Sequence, residues 1–331
     1  MSRRRVLFFF LIAAVGVLAS LGAGLAQASH RSRAHVARNR YLTGIGDENA
    51  QMFLDPNWRQ LNTPIARYIA PYDAAVHVPD LNRAKLWIAR ALAAHQRVLV
   101  AFYHSERTPT RMPSVRTYQA DVQKFVAEFP QVKDYQAWNE TNRGNVPHAF
   151  ASPSPSQAAA YYAALAKVCR GCTITSLDIL DQNNVRPTLH YIAQFESAAR
   201  RMHIHLPGLW GLHNYSDTNR FGSSRTRAIV HAVGGQVWLT ETGGIVKFGR
   251  AFPNHRGSGL RRAAKALSYM FRLAASNSHI KRLYIFQWLG ATSRARFDAG
   301  LTDAHFHPRP GFVVVCKQVH ARHCNVRTSR S

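Results

Sequence analysis

From Tyr41 onward, short apolar segments alternate with longer segments of helical period, and this alternation restricts the fold more than any other feature of the chain. The longer segments carry apolar residues three and four positions apart, as in 81–95, which is typical of a helix packed on a sheet. Strands are predicted at 42–46, 65–69, 97–103, the start of 135–142, 173–180, 209–212, 236–239 and 282–288. Such alternation predicts a parallel sheet, and eight strands predict an α/β fold with a single (β/α)8 TIM barrel over residues 41–331.

Polar residues stand where the predicted strands end. In a parallel barrel all of these ends meet at one face, where the following loops build the site. Two of the residues are glutamates, Glu140 after the fourth strand and Glu241 at the end of the seventh. A pair of carboxylates is the equipment for splitting a glycosidic bond. The other candidates at strand ends are Glu48, Arg67, His104, Asn139, His213, Tyr215 and Trp288.

The order of these residues resembles the retaining glycoside hydrolases of clan GH-A, whose barrels carry Asn-Glu after the fourth strand and a second glutamate at the end of the seventh. The resemblance implies that Glu140, preceded by Asn139, is the acid/base and that Glu241 is the nucleophile. Thr141 stands where many members have proline, which bears on loop shape, and no single family of the clan is matched. Supporting positions familiar in family five of the clan are matched by Arg67, His104, His213, Tyr215 and Trp288.

The two glutamates would need different charge states. A nucleophile must be ionised, and Arg67 and Tyr215 are the groups expected to hold Glu241 charged. An acid must keep its proton, so we expect the charge of Glu241 and a partly dry pocket to raise the pKa of Glu140. Asn139 would bond the sugar 2-hydroxyl, and a retaining mechanism requires the carboxyl groups to lie about 5 to 5.5 Å apart, against roughly 9 Å for inversion.

Several candidates also have a structural interpretation. Either glutamate alone can belong to a structural salt bridge. Trp288 is either core packing or a platform on which a sugar stacks. His104 and His213 are predicted to orient other side chains, and Glu48 is interpreted as part of a helix cap. Tyr72, Tyr103 and Phe248 follow strand ends and are proposed to line a sugar subsite. Trp138 and Trp238 lie within strands and are predicted to fill the barrel.

The amino terminus has the pattern of a secretory signal. Three arginines precede an apolar run, and Ala26-Gln27-Ala28 is a small-residue cleavage site, so residues 1–28 are predicted to be a signal peptide and 29–40 a basic linker. A secreted protein is therefore expected. The apolar run is long enough to span a bilayer, so an uncleaved membrane anchor is the alternative.

The chain is strongly basic, with a formal net charge of +26. This charge predicts affinity for polyanions. The basic residues are scattered singly along helices and no nucleic-acid motif accompanies them, so no specific nucleic-acid partner is predicted.

Four cysteines, an even number, are expected to form disulfides in an exported chain. Pairing Cys169 with Cys172 and Cys316 with Cys324 is the most local of the three arrangements. A zinc site is the alternative, because Cys169-x-x-Cys172 has ligand spacing and a second group of possible ligands lies close together in sequence: Cys316, His320, His323 and Cys324.

The sequence thus predicts hydrolysis of O-glycosidic bonds in a β-linked polysaccharide or oligosaccharide, without metal or cofactor. The alternative is a catalytically inactive barrel that binds cell-wall glycan or an acidic polymer. Sugar, linkage, exo or endo action and oligomeric state do not follow from the sequence.

Overall fold

The computed structural model describes residues 41–144, 148–292 and 294–319, together with 321 and 324. The predicted signal peptide and linker lie outside these residues and stay predictions. Within the described part of the chain, no helix is both long and apolar enough to cross a membrane.

The described chain forms one parallel sheet of nine strands that curls into a barrel. The strands are β1 Leu42–Gly46, β2 Ile65–Pro71, β3 Arg97–Tyr103, β4 Asp134–Gln136, β5 Thr173–Thr175, β6 Asp178–Leu180, β7 Leu209–His213 and β8 Gln236–Thr242, followed by β9 Lys247–Phe248, β10 Ile280–Phe286 and β11 Phe297–Asp298. The order in the barrel is β5-β4-β3-β2-β1-β10-β8-β7-β6, and β9 pairs with β11 in a small antiparallel sheet.

The barrel is completed by an interrupted strand. β5 pairs with β4 and β6 pairs with β7, so the two ends of the sheet are consecutive segments of the chain. Between them the Ser176 amide donates to Leu209 O at 2.7 Å, and the Gly211 amide donates to Leu177 O at 2.8 Å. β5 and β6 therefore form the fifth of eight barrel strands, and the predicted TIM barrel is confirmed.

Helices surround the barrel. They are α1 Pro56–Leu61, α2 Val78–Ala93, α3 Val115–Glu128, α4 Pro155–Val168, α5 Arg186–Arg201, α6 Tyr215–Arg220, α7 Ser224–Val233, α8 Ser258–Ala275 and α9 Pro310–Gln318. Their starts follow local sequence: the Ser114 side chain accepts the Thr117 amide at α3, and Ser154 with Pro155 begins α4. The short helix α6, which begins at Tyr215, was not predicted.

The strands have apolar side chains on both faces, as expected of a sheet covered by helices. Inside the barrel, Leu99, Trp238 and Tyr284 belong to a separate buried cluster, which confirms that Trp238 fills the barrel. At the amino ends of the strands, Asp134 accepts from Arg282 at 2.5 Å and from Arg97 at 2.6 Å.

Two strand ends differ from the prediction and change what reaches the site. β4 ends at Gln136, because the chain then turns and the Asn139 amide bonds Phe102 O at 2.7 Å. β10 begins two residues before the predicted strand and ends at Phe286, so Trp288 lies beyond the strand. The strands β1 and β3 have the predicted bounds.

The cysteines form the two most local disulfides, Cys169 with Cys172 and Cys316 with Cys324. All four thiols are used in this way. The alternative of a thiolate zinc site is therefore wrong.

Candidate active site

Arg67 lies at the carboxyl end of the barrel and connects most of the predicted site residues. Arg67 is on β2, which pairs with β1 and β3. Its side chain points into the barrel mouth, where it contacts residues of other strands and is 1% exposed. A buried guanidinium is tolerated only when its donors are matched by acceptors. The acceptors are Gln136 Oε1 at 2.9 Å, Glu241 Oε2 at 2.8 Å, Asn139 Oδ1 at 2.6 Å and Asp178 Oδ2 at 3.1 Å.

Close packing around this network depends on Gly211 of β7. A Cβ atom at this position would lie 2.5 Å from Asp178 Oδ1 and 2.6 Å from Gln136 Nε2. Any side chain would therefore displace the two groups that orient Arg67. Glycine leaves the space in which they meet.

Glu140 follows β4 on a turn with left-handed backbone. Its φ is +52°, a conformation that costs a non-glycine residue about 1 kcal/mol or more. The turn is held on both sides, by the Asn139 amide on Phe102 O and by the Thr141 amide on Asp178 O at 2.9 Å. The surrounding structure thus fixes the direction of the Glu140 side chain, which is buried apart from a residual 7%.

His213, the last residue of β7, bridges two carboxylates. Its Nδ1 lies 3.2 Å from Glu140 Oε1 and its Nε2 lies 3.1 Å from Asp178 Oδ2. Complete burial by itself lowers the pKa of His213, but the charges of Asp178 and Glu241 and the hydrogen bonds to Asp178 and Glu140 raise it to about 10. His213 is therefore an imidazolium that donates from both nitrogens.

Asp178 is the carboxylate shared by the two buried cations. Burial alone raises its pKa, but His213, Arg67 and the Thr240 hydroxyl together lower the pKa to about 2. Asp178 consequently stays ionised and orients both His213 and Arg67 from the floor of the site.

Glu241 lies in β8 opposite Glu140. Arg67 Nη1 donates to its Oε2 at 2.8 Å, and the Tyr215 hydroxyl donates to its Oε1 at 3.1 Å. Burial and the charge of Glu241 raise the pKa of Tyr215, so the hydroxyl keeps its proton and remains a donor. A carboxylate oxygen of Glu140 and one of Glu241 lie within 4.8 Å of each other.

The charge state of Glu140 differs from the expectation. Burial raises the pKa of Glu140, as expected, but the hydrogen bond and charge of His213 and the charge of Arg143 outweigh it, so the pKa lies below its ordinary value. Arg143 Nη1 is 2.7 Å from Glu140 Oε2. The expectation of a raised pKa is wrong for this structure because it took no account of two neighbouring cations.

The spacing of Glu140, His213 and Glu241 is that of a metal site, since one ligand atom from each lies within 4.8 Å of the others. The chemistry of the group does not fit a metal ion. Both His213 nitrogens carry protons that bond carboxylates, and Arg67 already supplies positive charge to Glu241. These described residues are better matched to one another than to a cation.

Trp288 and His104 do not support Glu140 and Glu241 as predicted. Trp288 is completely buried, its Nε1 donates to Asp55 Oδ2 at 3.0 Å, and it packs edge-on against Phe312. It therefore has no surface on which a sugar could stack, and core packing is the correct alternative. His104 bonds the Ser105 carbonyl at 3.1 Å and stacks on Phe150, so it lies at the edge of the site beside the Arg143 loop.

Glu48 is exposed at the end of β1. Asp47, rather than Glu48, accepts a turn amide, that of Asn49, at 2.7 Å. The 3-10 turn Ala50–Leu54 that follows is capped by Asn49, whose side chain accepts the Gln51 amide. The capping interpretation of Glu48 is therefore wrong.

An aromatic wall borders the Glu241 side of the site. Phe297 contacts Tyr215 with ring centroids 6.0 Å apart, Phe248 at 5.7 Å and Phe286 at 6.2 Å. The small β9–β11 sheet brings Phe248 and Phe297 together. Phe248 and Tyr215 are predicted site residues, whereas Phe286 and Phe297 were not identified, because β9 and β11 are distant in sequence.

Sequence reasoning missed three contributors to the network: Asp178, Gln136 and Arg143. A carboxylate inside the apolar segment Leu177-Asp178-Ile179 and an amide at the end of β4 were the available signals for the first two. Arg143 gave no signal, because its contact with Glu140 depends on the turn that the chain makes after β4.

The bridge formed by His213 predicts a pH dependence of stability. Its pKa is raised from 6.5 to about 10 on folding, so its contribution is complete below pH 6.5 and is lost as pH rises through 10. We expect the free energy of unfolding in urea to fall over this window with a slope of up to about 1.4 kcal/mol per pH unit. The slope should persist in His231→Gln, which alters an exposed histidine, and vanish in His213→Gln; equal slopes in both would contradict the assignment.

Comparisons with known proteins identify similar folds. No protein-family model matches the chain, and no curated protein sequence matches it. Native xylanase 10B from Thermotoga maritima superposes with a TM-score of 0.59 at 12% identity, over 86% of this chain and 96% of that one. GH5_18 from Streptomyces cattleya in complex with GlcNAc gives 0.58 at 14%, over 88% and 82%. Fungal β-1,4-galactanases give 0.58 at 12%, over 83% and 98%. The resemblance inferred from the motif order is confirmed at the level of fold.

Proposed function

We propose that the protein is a retaining glycoside hydrolase that cleaves β-linked glycans. The observation that carries this proposal is the pair of buried carboxyl groups whose nearest oxygens lie within 4.8 Å, each held by a different set of partners. This separation is in the range that lets one carboxylate attack the sugar directly, rather than through an intervening water.

In the first step Glu241 attacks the anomeric carbon while Glu140 gives a proton to the leaving oxygen. Arg67 and Tyr215 hold the two oxygens of Glu241, which fixes the direction of attack. The bond from the anomeric carbon to the leaving oxygen breaks, and a glycosyl ester of Glu241 forms. Asn139, oriented by Arg67, is positioned to bond the sugar 2-hydroxyl.

In the second step Glu140 takes a proton from water as the water oxygen bonds the anomeric carbon, and the bond from that carbon to Glu241 breaks, which frees the Glu241 carboxylate. Net configuration is retained. The cations His213 and Arg143 around Glu140 favour its ionised form, which suits the base role. For the acid role one of these contacts must weaken.

Two further features support the proposed substrate class and the proposed extracellular location of this activity. The similar structures include xylanases and galactanases, which favours a β-linked polysaccharide or oligosaccharide as substrate. The disulfides fit an extracellular protein, in agreement with the signal peptide proposed for 1–28. Amino-terminal sequencing of the exported protein should then begin at Ser29.

The proposed function is tested by trapping the covalent intermediate. A panel of 2-deoxy-2-fluoro β-glycosides with a dinitrophenolate leaving group should inactivate the enzyme. The fluorine slows both steps, and the activated leaving group keeps formation of the glycosyl ester faster than its hydrolysis. Peptide mass spectrometry should locate the sugar on Glu241, and Glu241→Gln should not be labelled. Binding of glycan without any label would instead support the alternative of an inactive, glycan-binding barrel.

A further inference from the structure

Both oxygens of Glu140 are occupied in the resting site. Oε1 accepts from His213 at 3.2 Å, and Oε2 accepts from Arg143 at 2.7 Å. An acid must present a protonated oxygen to the leaving group of the sugar. One of the two partners must therefore withdraw before the reaction proposed above can begin.

His213 cannot be the partner that withdraws. It is completely buried, and its second nitrogen is held by Asp178 at 3.1 Å. Moving the ring would remove one of the two buried cations that neutralise Asp178 inside the barrel, which is strongly unfavourable. The contact of His213 with Glu140 is thus a permanent part of the site.

Arg143 is the more exposed of the two partners of Glu140. Its side chain is 43% exposed and lies over the ring of Phe150, with Cζ 4.5 Å from the centroid. Among the described residues, Glu140 is the carboxylate that forms an ion pair with it. Because the Arg143 end of this ion pair is open to solvent, a second anion can reach the guanidinium and replace Glu140 as its partner.

The ligand able to do this is an anion. A guanidinium binds a planar carboxylate through two parallel hydrogen bonds, whereas neutral sugar hydroxyls compete poorly with the charge of Glu140. The charge of the chain also favours anions. Between residues 197 and 297 the sequence has sixteen lysines and arginines but two acidic residues, Asp217 and Glu241, and both are buried. Such an imbalance attracts anionic polymers to the protein.

We propose that the leaving-group side of the cleft accepts a uronic acid residue of a β-linked glycan, and that Arg143 binds its carboxylate. By turning from Glu140 to the substrate, Arg143 becomes a positioning residue that couples recognition to protonation. Glu140 then takes up a proton from solvent and holds it for the leaving oxygen. This inference rests on the proposed glycosidase function.

The charged groups that face Glu140 define the expected change. His213 and Arg67 are buried cations that stay in place, Asp178 and Glu241 are the facing carboxylates, and Arg143 is the exposed cation. Withdrawal of Arg143 alone removes one positive charge from this set. The pKa of Glu140 therefore rises when the substrate carboxylate takes Arg143.

The first test uses matched substrates. Oligosaccharides that alternate a neutral sugar with glucuronic acid are compared with the same oligosaccharides after carboxyl reduction. The wild-type enzyme should cleave the acidic form with kcat/KM at least about 100-fold higher, a preference that Arg143→Met should lose and Arg143→Lys should partly keep. Arg116→Met, which alters an exposed arginine of α3 outside residues 197–297, is the control and should behave as wild type. Equal cleavage of both forms by the wild type, or an equal effect of Arg143→Met on both, would overturn the inference.

The second test reads the charge of Glu140 directly. The chain has six glutamates, so the carboxyl carbons can be followed by 13C NMR and the Glu140 signal assigned with Glu140→Gln. Free glucuronate, but not glucose, should raise the pKa of Glu140 in the wild type, and neither should change it in Arg143→Met. No shift with glucuronate in the wild type would contradict the coupling even if Glu241 is labelled by the fluorosugar. If the fluorosugar does not label Glu241 and no substrate is hydrolysed, the proposed function itself is rejected.

Discussion

Replacing Glu241 with glutamine is expected to abolish hydrolysis of an activated aryl β-glycoside, with kcat reduced by about 10⁴-fold or more. Glutamine keeps the shape of the side chain and can still accept from Tyr215, but its amide cannot form the glycosyl ester. A loss of this size corresponds to about 5 kcal/mol of transition-state stabilisation. Steady-state release of dinitrophenolate measures it.

The control for this variant is Glu128→Gln. Glu128 ends α3 and pairs with Lys85 on the surface, where both side chains are exposed to solvent. Its neutralisation should leave kcat unchanged. A Glu241→Gln enzyme as active as this control would reject Glu241 as nucleophile.

Replacing Arg67 with methionine is expected to give the largest loss of stability, about 3 to 5 kcal/mol. The guanidinium donates to Asp178, Glu241, Asn139 and Gln136, and its removal leaves two carboxylates without this cation in a buried site. Methionine fills a similar volume, so the expected loss reflects unpaired polar groups rather than a cavity. The midpoint of urea unfolding measures it.

Arg97→Met is the matched control for Arg67. Arg97 also donates to a completely buried carboxylate, Asp134, but its own side chain is 51% exposed. Asp134 moreover keeps its second partner, Arg282, at 2.5 Å. Arg97→Met should therefore lose far less stability than Arg67→Met. Equal losses in the two variants would show that burial of the Arg67 network does not cause the loss of stability in Arg67→Met.

Much of the fold was predictable because barrel strands and covering helices have different hydrophobic periods. The strands β1 and β3 were predicted with their observed bounds. The break between β5 and β6 was not predictable, since an apolar run looks the same whether or not it changes partner. The helix α6 was missed because its six polar residues have no apolar period.

The candidate site was predictable in its members rather than in its contacts. Strand ends identify Glu140, Glu241, Arg67 and Tyr215, because a parallel barrel brings these ends to one face. Their catalytic roles stay predictions. Trp288 was assigned to the site because the predicted strand extended two residues too far, and in the structure it is core.

By itself the sequence determined the barrel and the two facing glutamates, because period and strand-end position are properties of neighbouring residues. Only the tertiary structure decided their charge states. The pKa of Glu140 depends on His213 and Arg143, and that of His213 depends on Asp178, which lies on a different strand. Electrostatic interactions act over a few ångströms between atoms that are distant in the chain, so they follow from the folded arrangement alone.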